Sequence, residues 1–226
     1  MINTKDIPGG GGGKTPKTLQ PGNTVIKVNS IYLEDFKFSP GAFNLMLDCE
    51  GTDLGADFEG FFIDKNNEEL GRHKGQVGRV RASEWAYADK ELPNDVTISR
   101  NLEIVKFLKS LSGALGCLDW LESQNDKHAT IEALVFAFNE EAPFKDKFLK
   151  VCLCGKEYEN KAGYINYDLF FPKFTKAGFP FENADTVDGA SKVYAFNKES
   201  HIRVKKVKSV ESFEAASTDD TPNFEL

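Results

Sequence analysis

The stretch that decides the fold is 99–115, SRNLEIVKFLKSLSGAL. Leu102, Val105, Leu108 and Leu111 recur at the spacing that lines one face of an α-helix. Ser99 stands just before that pattern and is the expected N-cap, because its hydroxyl can accept from a free N–H of the first turn. The same period returns in TIEALVFAFNEEAP (130–143) through Ile131, Leu134, Val135 and Phe138. Pro143 ends it, since proline has no N–H and clashes with the preceding turn. A helical insert is therefore expected over about 99–141.

On both sides of the insert the period is two. NTVIKVNSIYLEDFKF (23–38) alternates Ile26 and Val28 with Lys27 and Asn29, as a half-buried strand does. GAFNLMLDCEG (41–51) and ADFEGFFID (56–64) follow after turn residues, and together the segments read as a meander of three strands. GRHKGQVGRVRASEWAY (71–87) comes next, punctuated by glycine. After the insert, FLKVCLCGKEYEN (148–160) and YINYDLFF (164–171) flank a turn and predict a hairpin. Its inward parity is Leu149, Val151, Leu153, Ile165, Tyr167, Leu169 and Phe171. Its outward parity is Lys150, Lys156, Tyr158, Tyr164 and Asn166. Residues 172–190 read as a loop, followed by KVYAF (192–196) and HIRVKKVKSV (201–210) as a C-terminal β extension.

Three strands, helices, then two strands is the element order of an OB-fold. The expectation is a mostly β chain with an OB-fold-like five-stranded barrel, the helices lying between strands 3 and 4. An α+β domain with a mixed sheet shares that order and stands as the alternative.

Composition sets the outer limits. The chain has 226 residues, is 40% hydrophobic and contains 19 Phe, enough to fill a core. It has no apolar run long enough to span a bilayer and no signal-peptide pattern, so a soluble intracellular protein is expected. Residues 1–19 read as a flexible Gly-rich arm, 20–210 as the domain, and 211–226 as an acidic disordered tail. The net charge is −7, yet 211–226 hold five acids and no base, which leaves 30 acids against 28 bases elsewhere. Local basic clusters can therefore act on a nearly neutral body.

Several chemistries are excluded. IPGGGGGKTPKTL (7–19) mimics a phosphate-binding P-loop, but Pro8 stands where its first glycine belongs and no strand precedes it. Cys49, Cys117, Cys152 and Cys154 lack the paired spacing of a zinc site. His73, His128 and His201 have no nucleophile in a recognisable elbow beside them. The carboxylates Asp48, Glu50, Asp53, Asp57 and Glu59 could hold Mg²⁺ for a nuclease, and equally form a solvated hairpin end. The reading has no catalytic residue, no cofactor and no metal, and the protein is not expected to be an enzyme.

Binding has more to offer. Single-stranded nucleic acid is held by Lys and Arg along its phosphates and by aromatic faces under its bases. Residues 72–87 supply Arg72, Lys74, Arg79 and Arg81 ahead of Trp85, which suits a core or a stacking position. The hairpin supplies Lys150, Lys156, Tyr158 and Tyr164, and the C-terminal extension adds Arg203 and Lys205.

The tail segment Asp219-Asp220-Thr221-Pro222-Asn223-Phe224 resembles the acidic, Phe-ended tip of single-stranded DNA-binding proteins. The body from about residue 19 to 174, including GRHKGQVGRVRAS and APFKDKFLKVCLCGKEYENKAGYINYDLFFPKF, resembles phage proteins of this type, those of crAss-like phages of gut bacteria in particular. The resemblance implies an OB-fold body that coats and protects unwound DNA during phage replication or recombination, in the cytoplasm of the bacterial host. It also implies that Asp219, Asp220, Pro222 and Phe224 recruit replication or recombination proteins. The alternative is a structural or interaction protein, such as a virion component, without nucleic-acid binding.

Overall fold

The computed structural model describes residues 18–52, 75–93, 96–161, 163, 165–185 and 191–204. Strand β1 (Gly22–Asp35) pairs antiparallel with β2 (Phe43–Gly51), and β2 pairs antiparallel with β3 (Val77–Arg81). A short hairpin, β4 (Lys90–Leu92) and β5 (Val96–Ile98), leads into helices α1 (Arg100–Ala114), α2 (Leu118–Ser123) and α3 (Ile131–Glu141). Strand β6 (Phe148–Glu159) then pairs antiparallel with β7 (Ile165–Phe170). Strand β7 joins β3 in parallel at Val80↔Leu169 and Arg81↔Phe170, while β6 returns to β1 over Gly22–Lys27. The result is a closed five-stranded barrel in the order β1-β2-β3-β7-β6, OB-fold-like, with the helical insert between its third and fourth strands.

The register explains how one strand serves two neighbours. A bulge between Val28 and Ser30 turns β1, so Ile26, Val28 and Ile31 all face inward although their spacing breaks the period of two. They meet Leu45, Leu47, Val80, Leu149, Val151, Leu153 and Leu169 in the core. Leu19 joins them by packing on Gly78, where a Cβ would stand 2.9 Å from the Leu19 Cβ, and Leu19 N–H donates to Val77 C=O. Gly155 likewise has no room for a Cβ against Pro21 and Tyr167. These two approaches seat 18–21 against the end of the barrel.

Several expectations are corrected. The third barrel strand is Val77–Arg81, inside the glycine-punctuated stretch, whereas 56–64 lie outside the described residues. Helix α1 buries Ile104, Phe107, Leu108 and Leu111; Leu102 is exposed and Val105 only half-buried, so the stripe is rotated from the expected one. Ser99 is the N-cap residue but makes no side-chain capping bond. The carboxylate of Asp89 takes that role by accepting from Arg100 N–H at 2.7 Å. In α3 the cap works as the pattern suggests, with Thr130 Oγ1 accepting from Ala133 N–H. Ile165 is 57% exposed rather than inward, because it lies at the turn end of β7 beyond the core layers. The loop after β7 contains β8 (Phe181–Asn183), which pairs with β6. The C-terminal extension crosses as 191–197, forms α4 (Lys198–His201), and ends among the described residues in β9 (Ile202–Arg203), parallel to Gly155–Lys156.

Candidate nucleic-acid interface

Alternation on β3 fixes the geometry of the barrel's outward face. Val80 is fully buried, so Arg79 and Arg81 on either side of it project outward. On β6, Leu149, Val151 and Leu153 point into the core, which turns Cys154, Lys156 and Tyr158 outward. Strand β7 lies between them with Phe170, paired to Cys154 and to Arg81, and Asp168, paired to Lys156. Arg203 on β9 stands next to Lys156 on the other side.

Arg79 is already engaged. Its guanidinium lies 3.2 Å from Glu34 and 3.9 Å from Asp48, and its Nε–H donates to the Tyr32 hydroxyl at 2.8 Å. The Glu34 hydrogen bond pushes the Arg79 pKa further up. Burial, followed by the Asp48 charge, raises that of Tyr32. Asp48 also accepts from Ser30 Oγ at 2.8 Å. The acid that the sequence offered as a metal ligand is thus part of this hydrogen-bonded row. Among the described residues, no group of His, Cys, Asp or Glu is arranged to hold a metal.

The other outward cations differ. Arg81 lies over the Phe170 ring, 6.0 Å from its centroid. Arg81 and Lys156 make no ion pair among the described residues. Arg203 reaches Glu84 at 3.5 Å. Below that pair the Cys154 thiol is pushed up to about 12 by burial, against the pull of Arg203. All four cysteines are buried free thiols.

Aromatic groups flank the cations. Tyr158 is 41% exposed at the end of β6, and Trp85, on the segment after β3, is 65% exposed, which removes it from the core. That segment runs beside β2, with Phe43 and Tyr87 exchanging backbone hydrogen bonds. The structure therefore brings Arg79, Arg81, Lys156, Tyr158 and Arg203 onto one outward face, with Trp85 beside the start of β2. Lys150 is not with them. It stands six residues before Lys156 on β6, about 20 Å away at the usual strand rise, beside Glu182 of β8. Arg72, Lys74, Tyr164 and Lys205 lie outside the described residues, as do Asp219, Asp220, Pro222 and Phe224.

Sequence reasoning missed two outward-turned aromatic residues. Tyr32 turns outward because of the bulge, which shifts parity along β1. Phe38 is 88% exposed on the β1–β2 turn and meets Phe36 edge to face. The signal for it is the Ser39-Pro40-Gly41 turn, which ends the strand before Phe38.

No protein-family model, curated protein or solved structure matches the chain. Among the described residues, no helix is long and apolar enough to cross a membrane.

Proposed function

We propose that the protein binds single-stranded DNA across the outward face of β3, β7 and β6, coating unwound strands during phage replication or recombination. The observation that carries this reading is the joint placement of Arg79, Arg81, Lys156 and Arg203 on one face of a closed barrel, with exposed Tyr158 and Trp85 around them. The cations track phosphates and the two rings stack bases. Arg72, Lys74, Tyr164 and Lys205 extend this track in the proposal, whereas Lys150 stands apart from it beside β8. The acidic tip, Asp219 to Phe224, recruits replication or recombination proteins in the host cytoplasm, on the strength of its resemblance to the tips of phage single-stranded DNA-binding proteins.

A second reading, a protein-docking module, is favoured by one observation: Arg79 and Arg203 already have carboxylate partners. Titration with oligo-dT at several salt concentrations, followed by tryptophan fluorescence, separates the two. The chain has two Trp. Trp120 donates to Glu141 at 2.6 Å and packs on Phe138, which leaves exposed Trp85 as the reporter. Quenching whose affinity falls with salt by a slope of about −0.7 per phosphate neutralised is the expected result. Absence of binding at low salt ends the DNA reading and leaves protein docking.

A further inference from the structure

Strand β1 pairs with β6 over Gly22–Lys27 and with β2 over Ile26–Asp35, so past Lys27 β2 alone pairs with it. The hydrogen bonds of β2 show which peptide groups face the uncovered side. Phe43 exchanges backbone bonds with Tyr87, and Leu45 C=O accepts from Ala82 N–H, so both residues direct their peptide groups away from β1. Their partners Asp35 and Leu33 therefore form non-hydrogen-bonded pairs, with N–H and C=O turned outward from the sheet edge. Ile31 has the same orientation, and its N–H donates to Asn139 Oδ1 at 2.9 Å. The Asn139 side chain stands where the carbonyl of a neighbouring strand would stand. The next two rungs, Leu33 and Asp35, have no such partner among the described residues.

Helix α3 converts this edge into a slot. Leu33, Asp35 and Phe43 face Glu132, Val135 and Phe136 across about 320 Å³ of open space. Phe136 is 66% exposed there, although its neighbour Val135 is buried. An open strand edge beside a helix with an apolar lining accepts an extended peptide as an added strand.

We propose that the slot takes residues 1–7 of the same chain, MINTKDI, as that strand. Ile2, Thr4 and Ile7 favour an extended backbone, and Ile2 and Ile7 supply apolar side chains. Charge selects this end of the chain over the other. Residues 1–7 carry Lys5 against Asp6 and so meet Asp35 and Glu132 without net repulsion, whereas the five acids of 211–226, with no base among them, are repelled by them. Reach agrees. Thr18 bridges to Val77, which pairs with Glu50, which pairs with Lys27, and Leu33 lies farther along β1. At the usual strand spacing and rise those steps place Thr18 about 25 Å from the slot. Residues 8–17 span up to about 33 Å when extended. The tether holds the segment at an effective concentration on the order of millimolar.

Hydrogen exchange by NMR on the full chain, repeated at two protein concentrations, tests the proposal. The Leu33 and Asp35 amides exchange at least about tenfold more slowly in the full chain than in a variant lacking residues 1–7. The Ile26 amide, in the part of β1 covered by β6, serves as the fold control and is unchanged. Phe136→Asp, a substitution of an exposed residue, gives the same acceleration at Leu33 and Asp35 with an unaltered melting temperature. Equal exchange in the full and shortened chains overturns the proposal. So does protection that vanishes on dilution, since the strand then comes from a second copy. DNA binding does not enter this readout, so the two proposals stand or fall separately.

Discussion

The outward sheet has two halves that carry similar cations in different surroundings. On the β1–β2–β3 side, Arg79 is held by Glu34, Asp48 and the Tyr32 hydroxyl. On the β7–β6 side, Lys156 makes no ion pair among the described residues and Tyr158 stands two residues away on the same face. A phosphate arriving at Arg79 must displace carboxylates that already solvate it, while at Lys156 it displaces only water and counterions. Counting basic residues therefore overstates what Arg79 can offer a phosphate, and likewise Arg203 beside Glu84. What a cation contributes depends on what it gives up.

The largest expected effect lies on the open half. Tyr158→Ala weakens oligo-dT binding by about 1 to 3 kcal/mol, while its exposure leaves the melting temperature unmoved. If affinity holds and the protein unfolds early, Tyr158 is a packing residue and the two halves do not differ as described. A smaller effect, of opposite sign, lies on the compensated half. Glu34→Gln releases Arg79 and tightens binding at low salt by about 0.3 to 1 kcal/mol, the usual worth of an exposed pair. The gain fades as salt is raised, because screening weakens the attraction it frees. Unchanged low-salt affinity places Arg79 outside the DNA path.

The smallest effect concerns pH at the edge of the open half. His201 stacks on Phe196, its Nδ1 accepts from Asn197 N–H at 2.9 Å, and Arg203 follows two residues later. Burial first, and then the Arg203 charge, hold its pKa below the ordinary 6.5. When 194–203 is detached, His201 takes up the proton more readily, so the docking of 194–203 is at full strength above pH 6.5 and declines as pH falls below it. An NMR titration should give a His201 midpoint below 6.5, with broadening of the Arg203 amide over the same range. A midpoint at or above 6.5 removes this pH dependence.

The barrel was legible because its strands alternate and its helices do not. The parity of β6 could be read directly from Leu149, Val151 and Leu153, and Lys156 and Tyr158 face outward as that parity requires. What could not be read has physical causes. The bulge in β1 changes parity with no glycine or proline to mark it, so Tyr32 stays hidden. Only five residues make up β3, and its Gly78 lacks a Cβ because Leu19 packs there, a contact between distant segments that local pattern does not carry. In α1 the choice between Leu102 and Ile104 depends on which side the barrel lies, and both lines of residues have helical spacing. The ion pairs that divide the outward face join residues as far apart as Glu34 and Arg79 or Glu84 and Arg203. Sequence identifies such charges but not their partners.

One buried side chain links the order of synthesis to the finished fold. Asn23, fully enclosed at the start of β1, donates through Nδ2 to the carbonyls of Val151 and Tyr194, while its Oδ1 accepts from Phe196 N–H. On the ribosome β1 emerges first, yet the last of these partners follows 173 residues later. Until then the amide must remain hydrated, because enclosing it without partners costs about 1 to 3 kcal/mol. The β1–β6 seam can therefore close with the Asn23 amide fully paired only once residues 194–196 are in place. Asn23 thus ties the closure of the β1–β6 seam to the arrival of the 194–196 segment.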